Sequence, residues 1–308
     1  MAFHAALDLI HPIQFEGQAI MMFRDDLYPA VGGGNKARKM QFISQDIAAK
    51  GANAVVTTGG IQSNHCRAVA ISAAQHGWKC RLVLHGANER YLTETGNTKL
   101  MRLAGAEIVF AEPDEIAGTM DEAMEDFGRR GYQPYYINGG GHTIKGGEAY
   151  VQAVSELKGF CERENWYPDY IFLATGTGST HAGIMAGLDQ HQLNAEVVGI
   201  SIARAKARAE EVVEEFYNSL RSELQIITPK RKVTVQSDYL AGGYEGSNQQ
   251  IKQVIADLAK HTGIFTDPTY TGKAFWGMLE LLRAEQVSGK VLFWHTGGIN
   301  NLIASNII

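Results

Sequence analysis

Glycine turns at the ends of apolar strands constrain this chain more than any other feature. Four stretches, Gly32–Lys39, Thr57–His65, Thr175–Gly183 and His295–Gly298, each lead into a helical pattern. Three of them directly follow a short apolar strand: NAVVT, IFLA and VLFW. Glycine makes up 34 of 308 residues, above the roughly 7% of an average chain, and the excess sits in these turns. Between them, helical and strand periods alternate. Met40, Ile43 and Ile47 recur at helical spacing before Gly51 stops that helix. Strands are expected at about 53–57, 80–84, 107–110, 135–137, 170–174, 196–202, 233–236 and 291–294. Helices are expected at 64–76, 97–103, 116–130, 146–164, 180–190, 206–223, 249–261, 272–285 and 299–305. Continuous apolar strands joined by amphipathic helices form mostly parallel sheets covered on both faces. The fold class is therefore α/β. Ligands bind such sheets at the carboxyl ends of the strands, on the turns that open the next helix.

Other readings fall away quickly. At roughly 150 residues per domain the length allows about two domains. Lys plus Arg number 28 and Asp plus Glu 33, a net charge of −5, which gives no basic excess for nucleic acid. Cys66, Cys80 and Cys161 are odd in number and form no C-x-x-C pair, so neither a disulfide framework nor a zinc site is expected. No apolar run approaches the ~18 residues of a membrane span. The first residues lack a basic start followed by an apolar stretch. The expectation is a reduced, soluble, cytoplasmic protein. None of the ten histidines forms an H-E-x-x-H pair, and there is no G-x-S-x-G elbow. The run Glu210, Glu211, Glu214, Glu215 reads as a solvated helix face.

Each turn offers a chemical reading beside an ordinary one. Lys36, in GGGNKARK, is either a reactive amine at a helix N-terminus, where the dipole disfavours its proton, or one of three surface charges with Arg38 and Lys39. Taken alone, the turn favours surface charges. It is no Walker A loop, since Ala37 follows the lysine. Ser63 and Asn64, in TTGGIQSNH, either offer amides and side chains to a carboxylate or simply cap the next helix. Gly176-Thr177-Gly178-Ser179-Thr180 has the shape and hydroxyl content of a phosphate cradle. It departs from G-x-G-x-x-G because His181 takes the sixth place. Thr296 can present a hydroxyl at the sheet edge. A lysine, a carboxylate nest and a phosphate cradle without a nucleotide signature suit pyridoxal phosphate. Its aldehyde needs a lysine, its phosphate needs amides and hydroxyls, and its amino-acid substrate brings a carboxylate.

The motifs GGNKARK, GGIQSNH, TGTGSTHAG, DPTYTGKA and HTGG, preceded by FRDD at Phe23–Asp26, resemble those of the D-cysteine desulfhydrase and 1-aminocyclopropane-1-carboxylate deaminase family. They occur in the same order and span nearly the whole chain. The family's fold is that of the tryptophan synthase β-subunit (fold type II), which implies two open, mostly parallel sheets with helices on both faces. It also implies a discontinuous large domain, residues 1–39 plus 150–308, with a small domain, 40–149, inserted. The resemblance implies that Lys36 carries pyridoxal 5'-phosphate as a Schiff base and moves the α-proton. Asn64 would contact the ring hydroxyl, while Ser63, Asn64 and His65 receive the substrate carboxylate. Gly176, Thr177, Gly178, Ser179 and Thr180 would hold the phosphate. Tyr270 would stack on or beside the ring, with Tyr244 as a second active-site tyrosine, and Thr296 would face the pyridine nitrogen.

Two positions separate the branches. The deaminases resemble one another in carrying Glu after the DPxY tyrosine and Leu before the last glycine pair. Thr271 and Thr296 stand there in this chain, which resembles the desulfhydrase branch and implies that Thr271 contacts the substrate. The expected reaction is elimination from D-cysteine to pyruvate, hydrogen sulfide and ammonia, by a homodimer. Elimination from L-cysteate, D-serine, 3-chloro-D-alanine or diaminopropionate, deamination of 1-aminocyclopropane-1-carboxylate, β-replacement, and a cofactor carrier without turnover stay open. Cys66 after SNH and the loop Ala241–Ser247 depart from the family pattern and bear on the substrate.

Overall fold

A computed structural model of the protein describes residues 9–86 and 95–306. The described residues open on a hairpin that the periodicity did not reveal. Strands β1 (Ile10–Phe15) and β2 (Gln18–Arg24) pair antiparallel across Glu16 and Gly17, whose φ values of 48° and 76° suit a tight two-residue turn. Pro12 conceals β1 from a sequence reading, and the structure places that strand at a sheet edge, where a missing N–H is tolerated.

The remaining order is α1 (Asn35–Ala49), β3 (Ala54–Gly60), α2 (Asn64–His76), β4 (Lys79–His85), α3 (Asn97–Leu103), β5 (Glu107–Phe110), α4 (Ile116–Arg129), β6 (Pro134–Ile137) and α5 (Ile144–Glu164). Then come β7 (Tyr170–Thr175), α6 (Ser179–His191), β8 (Glu196–Ser201), α7 (Lys206–Glu223), β9 (Thr234–Gln236), α8 (Gln249–Thr262), α9 (Thr271–Arg283), β10 (Val291–His295) and α10 (Ile299–Ala304). Each helix and strand read from periodicity is present, with ends shifted by a few residues.

The strands of the described residues form two sheets. Six lie in the order β1-β2-β10-β7-β8-β9, parallel except for the β1–β2 pair, and four lie in the order β5-β4-β3-β6, all parallel. Both sheets are covered on both faces. One face of the larger buries Leu173, Leu292 and Trp294 against α5, α6 and α7, and the other buries Phe172 and Phe293 against α8 and α9. The smaller sheet buries Val55 and Leu82 against α1 and α2, and Val56 and Val83 against α4.

A buried polar knot sets where α1 begins. Asp25 is fully buried; Oδ1 accepts from Arg38 Nε and Nη2 at 2.9 and 2.8 Å, and Oδ2 accepts from Trp294 Nε1 at 2.9 Å and from the Tyr150 hydroxyl. Arg38 in turn reaches Glu156 on α5 at 2.7 Å. These bonds tie the segment before α1 to β10 and α5. The reading of Arg38 and Lys39 as surface charges is therefore corrected: each is 1% exposed.

Candidate active site

The glycine turns converge on one cavity of about 520 Å³. Turns one and four meet by backbone: Asn35 N donates to Thr296 O at 2.9 Å. That approach requires glycine at both sides, since a Cβ on Gly297 (φ 105°) would sit 2.8 Å from Gly34 Cα. Arg67, buried on α2, braces the first turn by donating to Val31 O at 2.7 Å and Gly33 O at 3.3 Å.

Lys36 is the second residue of α1 and lines the cavity, its Nζ donating to Gly140 O at 2.9 Å. Burial lowers its ammonium to about 8, so roughly one molecule in ten carries the free amine at pH 7, against fewer than about one in a thousand for an ordinary lysine. Gly140 belongs to a fifth glycine turn, Gly139–Gly141 after β6, which the sequence reading passed over. Three consecutive glycines behind the strand PYYI were the available signal.

Ser63 is both a helix cap and a wall of the cavity: its Oγ accepts from Cys66 N at 3.1 Å and lies against the Cys66 thiol. Asn64 lines the cavity with Oδ1 already taken by Asn97 Nδ2 at 2.8 Å. This leaves the Asn64 amide nitrogen as the group to offer. The tautomer of His65 follows from its neighbour. Thr57 Oγ1 gives its one proton to Ile137 O at 2.8 Å, so His65 Nε2 must donate to Thr57, also at 2.8 Å. Burial pushes the His65 imidazole well below its usual range. It is a neutral ring with Nδ1 free to accept.

The third turn forms the opposite wall. Gly176, Thr177, Gly178 and Thr180 line the cavity. Gly178 caps α6 at φ 86° without a side-chain cap, leaving the first-turn amides of that helix open. Ser179 is fully buried and does not line the cavity; its Oγ accepts from Lys39 Nζ at 2.7 Å. Lys39 has no carboxylate in ion-pair range among the described residues. An uncompensated ammonium beside open helix N-terminal amides calls for an anion. The phosphate of pyridoxal phosphate fits that cradle, with Lys36 across the cavity for its aldehyde. Thr58 Oγ1, buried without a partner on the cavity wall, is a further unmet polar group.

Tyr270 and Tyr244 share a hydroxyl–hydroxyl hydrogen bond of 2.6 Å on the cavity wall, their rings edge to face. Burial raises both phenols, Tyr244 to about 12, so both stay protonated. Thr296 lines the cavity as expected. Thr271 does not: its fully buried hydroxyl donates to Asp267 Oδ1 at 2.8 Å and approaches Gly297 O at 3.0 Å. Its place as a substrate contact is corrected for that reason. Its work is to fix turn four against the start of α9. Asn35, His85, His181 and Arg204 also line the cavity and were not anticipated. Among the described residues lining it there is no Asp or Glu.

Comparison with known proteins agrees with this geometry. The family model "Pyridoxal-phosphate dependent enzyme" matches residues 12–297. A D-cysteine desulfhydrase of Klebsiella pneumoniae (strain 342) is 33% identical over 295 residues, 94% of this chain and 89% of the relative. A D-cysteine desulfhydrase of Yersinia pestis (strain Pestoides F) is 32% identical over 297 residues, with the same coverage of 94% and 89%. A solved structure titled as an ACC deaminase homologue superposes with a TM-score of 0.85 at 32% identity, covering 92% of this chain and 86% of that one. With a lysine, an anion cradle and a carboxylate-free cavity in one place, and a match across nearly its whole length, the chain belongs to the pyridoxal-phosphate dependent enzyme family.

Proposed function

We propose that this enzyme eliminates the β-substituent of a small amino acid, with D-cysteine the leading substrate and pyruvate, hydrogen sulfide and ammonia the products. The observation that carries the reading is a cavity holding Lys36 and a ring of hydroxyls and amides but no Asp or Glu. Pyridoxal phosphate, bound there, supplies the electron sink for the pair left on the substrate's Cα. Gly176, Thr177, Gly178 and Thr180, with Ser179 and Lys39 behind them, would hold its phosphate, and the Asn64 amide its ring hydroxyl. Ser63 and the neighbouring amides orient the substrate carboxylate. Lys36 Nζ takes the proton from Cα, a task suited to an amine lowered to about 8. The protonated phenols of Tyr244 and Tyr270 hold one donor pointed at the departing group.

The lack of Asp and Glu among the described residues lining the cavity, with Thr296 at its wall, supports elimination over ring opening. A carboxylate beside the pyridine nitrogen would keep it protonated and deepen the electron sink, which cleavage of a cyclopropane carbon–carbon bond needs. A hydroxyl suffices when a thiolate leaves. The names of the relatives from Klebsiella pneumoniae and Yersinia pestis favour the same substrate, while the ACC deaminase homologue keeps deamination as the second reading. A large domain of residues 1–39 plus 150–308, an inserted small domain of 40–149, a homodimer and a cytoplasmic location complete the proposal. Its test is a panel assayed for pyruvate and sulfide with and without added thiol: D-cysteine, L-cysteine, L-cysteate, D-serine, 3-chloro-D-alanine, diaminopropionate and 1-aminocyclopropane-1-carboxylate. Equal sulfide and pyruvate from D-cysteine is the expected result. 2-Oxobutyrate from the cyclopropane with no sulfide from D-cysteine would overturn the assignment, and cofactor retention without turnover would indicate a carrier.

A further inference from the structure

Lys273, in the DPTYTGKA motif, is a buried cation without an anion bonded to it. It lies in the first turn of α9, where the helix dipole opposes positive charge, and it is fully buried. The nearest acid, Asp267, spends its oxygens on the amides of Thr269, Tyr270 and Thr271 and on the Thr271 hydroxyl. Lys273 Nζ instead donates to Leu240 O and Gly243 O at 2.8 Å each, with Ile202 O at 3.4 Å. Three ammonium protons thus face three carbonyls from two segments, and both segments border the cavity.

The segment it holds has little else to hold it. Residues 240–246 form no helix or strand, and Ala241, Gly242, Gly243 and Glu245 all take left-handed φ, between 48° and 99°. Left-handed φ at Ala241 and Glu245 is strained for residues with a Cβ. Inside the segment, Gly243 N donates to Leu240 O and Gly246 N to Gly243 O, both at 3.0 Å. The carbonyl of Gly243 shares its peptide plane with the nitrogen of Tyr244, whose hydroxyl meets Tyr270 three residues before Lys273. The start of α9 therefore holds this loop at three points, the Leu240 and Gly243 carbonyls through Lys273 and the Tyr244 phenol through Tyr270.

We propose that Lys273 is a positioning residue for Tyr244: by pinning the Gly243–Tyr244 peptide it sets where that phenol stands in the cavity, and so how tightly the substrate's side-chain end is bound. The inference rests on the cavity being the amino-acid site. Lys273→Met keeps the length of the side chain and removes the three donations. In the holoenzyme, amide hydrogen exchange of residues 240–246 should accelerate at least tenfold in Lys273→Met and stay near wild type in Tyr244→Phe. Both variants should lower kcat/KM for D-cysteine by about tenfold, since each displaces or removes the phenol offered to the departing group. The double variant should be no worse than the more impaired single one. Independent effects that multiply toward a hundredfold would overturn the proposal. So would unchanged exchange in Lys273→Met, or a loop freed equally by Tyr244→Phe. If Lys273→Met fails to fold, the exchange of Tyr244→Phe decides alone: a loop still protected without the phenol contact supports the clamp, and one set free refutes it. The exchange readout needs no turnover, so it remains decisive even if D-cysteine is not the substrate.

Discussion

Replacing Lys39 by methionine should separate two effects of one buried ammonium. Its Nζ bonds to Ser179 Oγ at 2.7 Å at 1% exposure. Burial, helped by nearby Lys36, pushes it well below the usual lysine range. The unfolded chain keeps that proton up to about pH 10.4, whereas the folded chain without cofactor releases it at lower pH. Between those values the unfolded state binds more protons, so this group's penalty on folding is largest at the low-pH end and fades as pH rises. Exchanging buried ionic groups for apolar ones of similar volume gains about 1–4 kcal/mol. Taking ~2 kcal/mol at roughly 2 °C per kcal/mol for a chain of this size, the cofactor-free variant should melt about 4 °C higher at pH 7. The same change should weaken pyridoxal phosphate. A hydrogen bond to a charged group is worth about 1.5–3 kcal/mol, so Kd should rise by roughly 10- to 150-fold. Thermal unfolding with and without cofactor, beside an equilibrium titration, reads both numbers. A lower melting temperature for the cofactor-free variant, or a Kd within threefold of wild type, would refute the assignment of Lys39 to the phosphate.

Three other outcomes follow from the site. Ser63→Ala removes the bond to Cys66 N and should cost about 1 kcal/mol of stability; as a cavity group it should also lower kcat/KM about tenfold, roughly 1.4 kcal/mol, and normal kinetics with only a lowered Tm would leave Ser63 a cap alone. Thr271→Glu must place a second carboxylate beside buried Asp267, so it should fold poorly, with a loss of about 3 kcal/mol or more read by denaturant unfolding; a stable variant with normal D-cysteine turnover would show that this pocket can open. Capture of pyridoxal phosphate by the cofactor-free chain should speed up with pH around a midpoint near 8, because the free amine of Lys36 is the reactive form; a midpoint near the ordinary lysine value would remove the argument from burial.

How far the sequence discloses this molecule depends on which signal each part leaves. Apolar strands and 3.6-residue periods are local, and the strand and helix order from Met40 onward could be read from them. The β1–β2 hairpin could not, since Pro12 breaks the pattern and its partner strand runs apolar into FRDD. In the site, the turns that carry Lys36, Ser63, Asn64 and Thr296 were legible because glycine runs at strand ends have few other uses. The turn at Gly139–Gly141 left the same signal and was overlooked. Lys39, Arg38 and Lys273 show the opposite limit. A lysine or arginine in a sequence reads as surface charge, and only long-range contacts with Ser179, Asp25 and the Leu240–Gly243 carbonyls show that these are buried. Thr271 failed for a related reason: nothing local tells a hydroxyl facing a ligand from one bonded to Asp267 and Gly297.

Among the described residues three lysines are pushed below the usual range by burial, Lys36, Lys39 and Lys273, yet only Lys36 of the three lines the cavity. Borohydride reduction of the cofactor-loaded protein, followed by peptide mapping, therefore tests the central claim directly. The account predicts the pyridoxyl phosphate mass on Lys36, with none in the Lys36→Ala variant. Label found on Lys39 or Lys273, or retained when Lys36 is replaced, would contradict it.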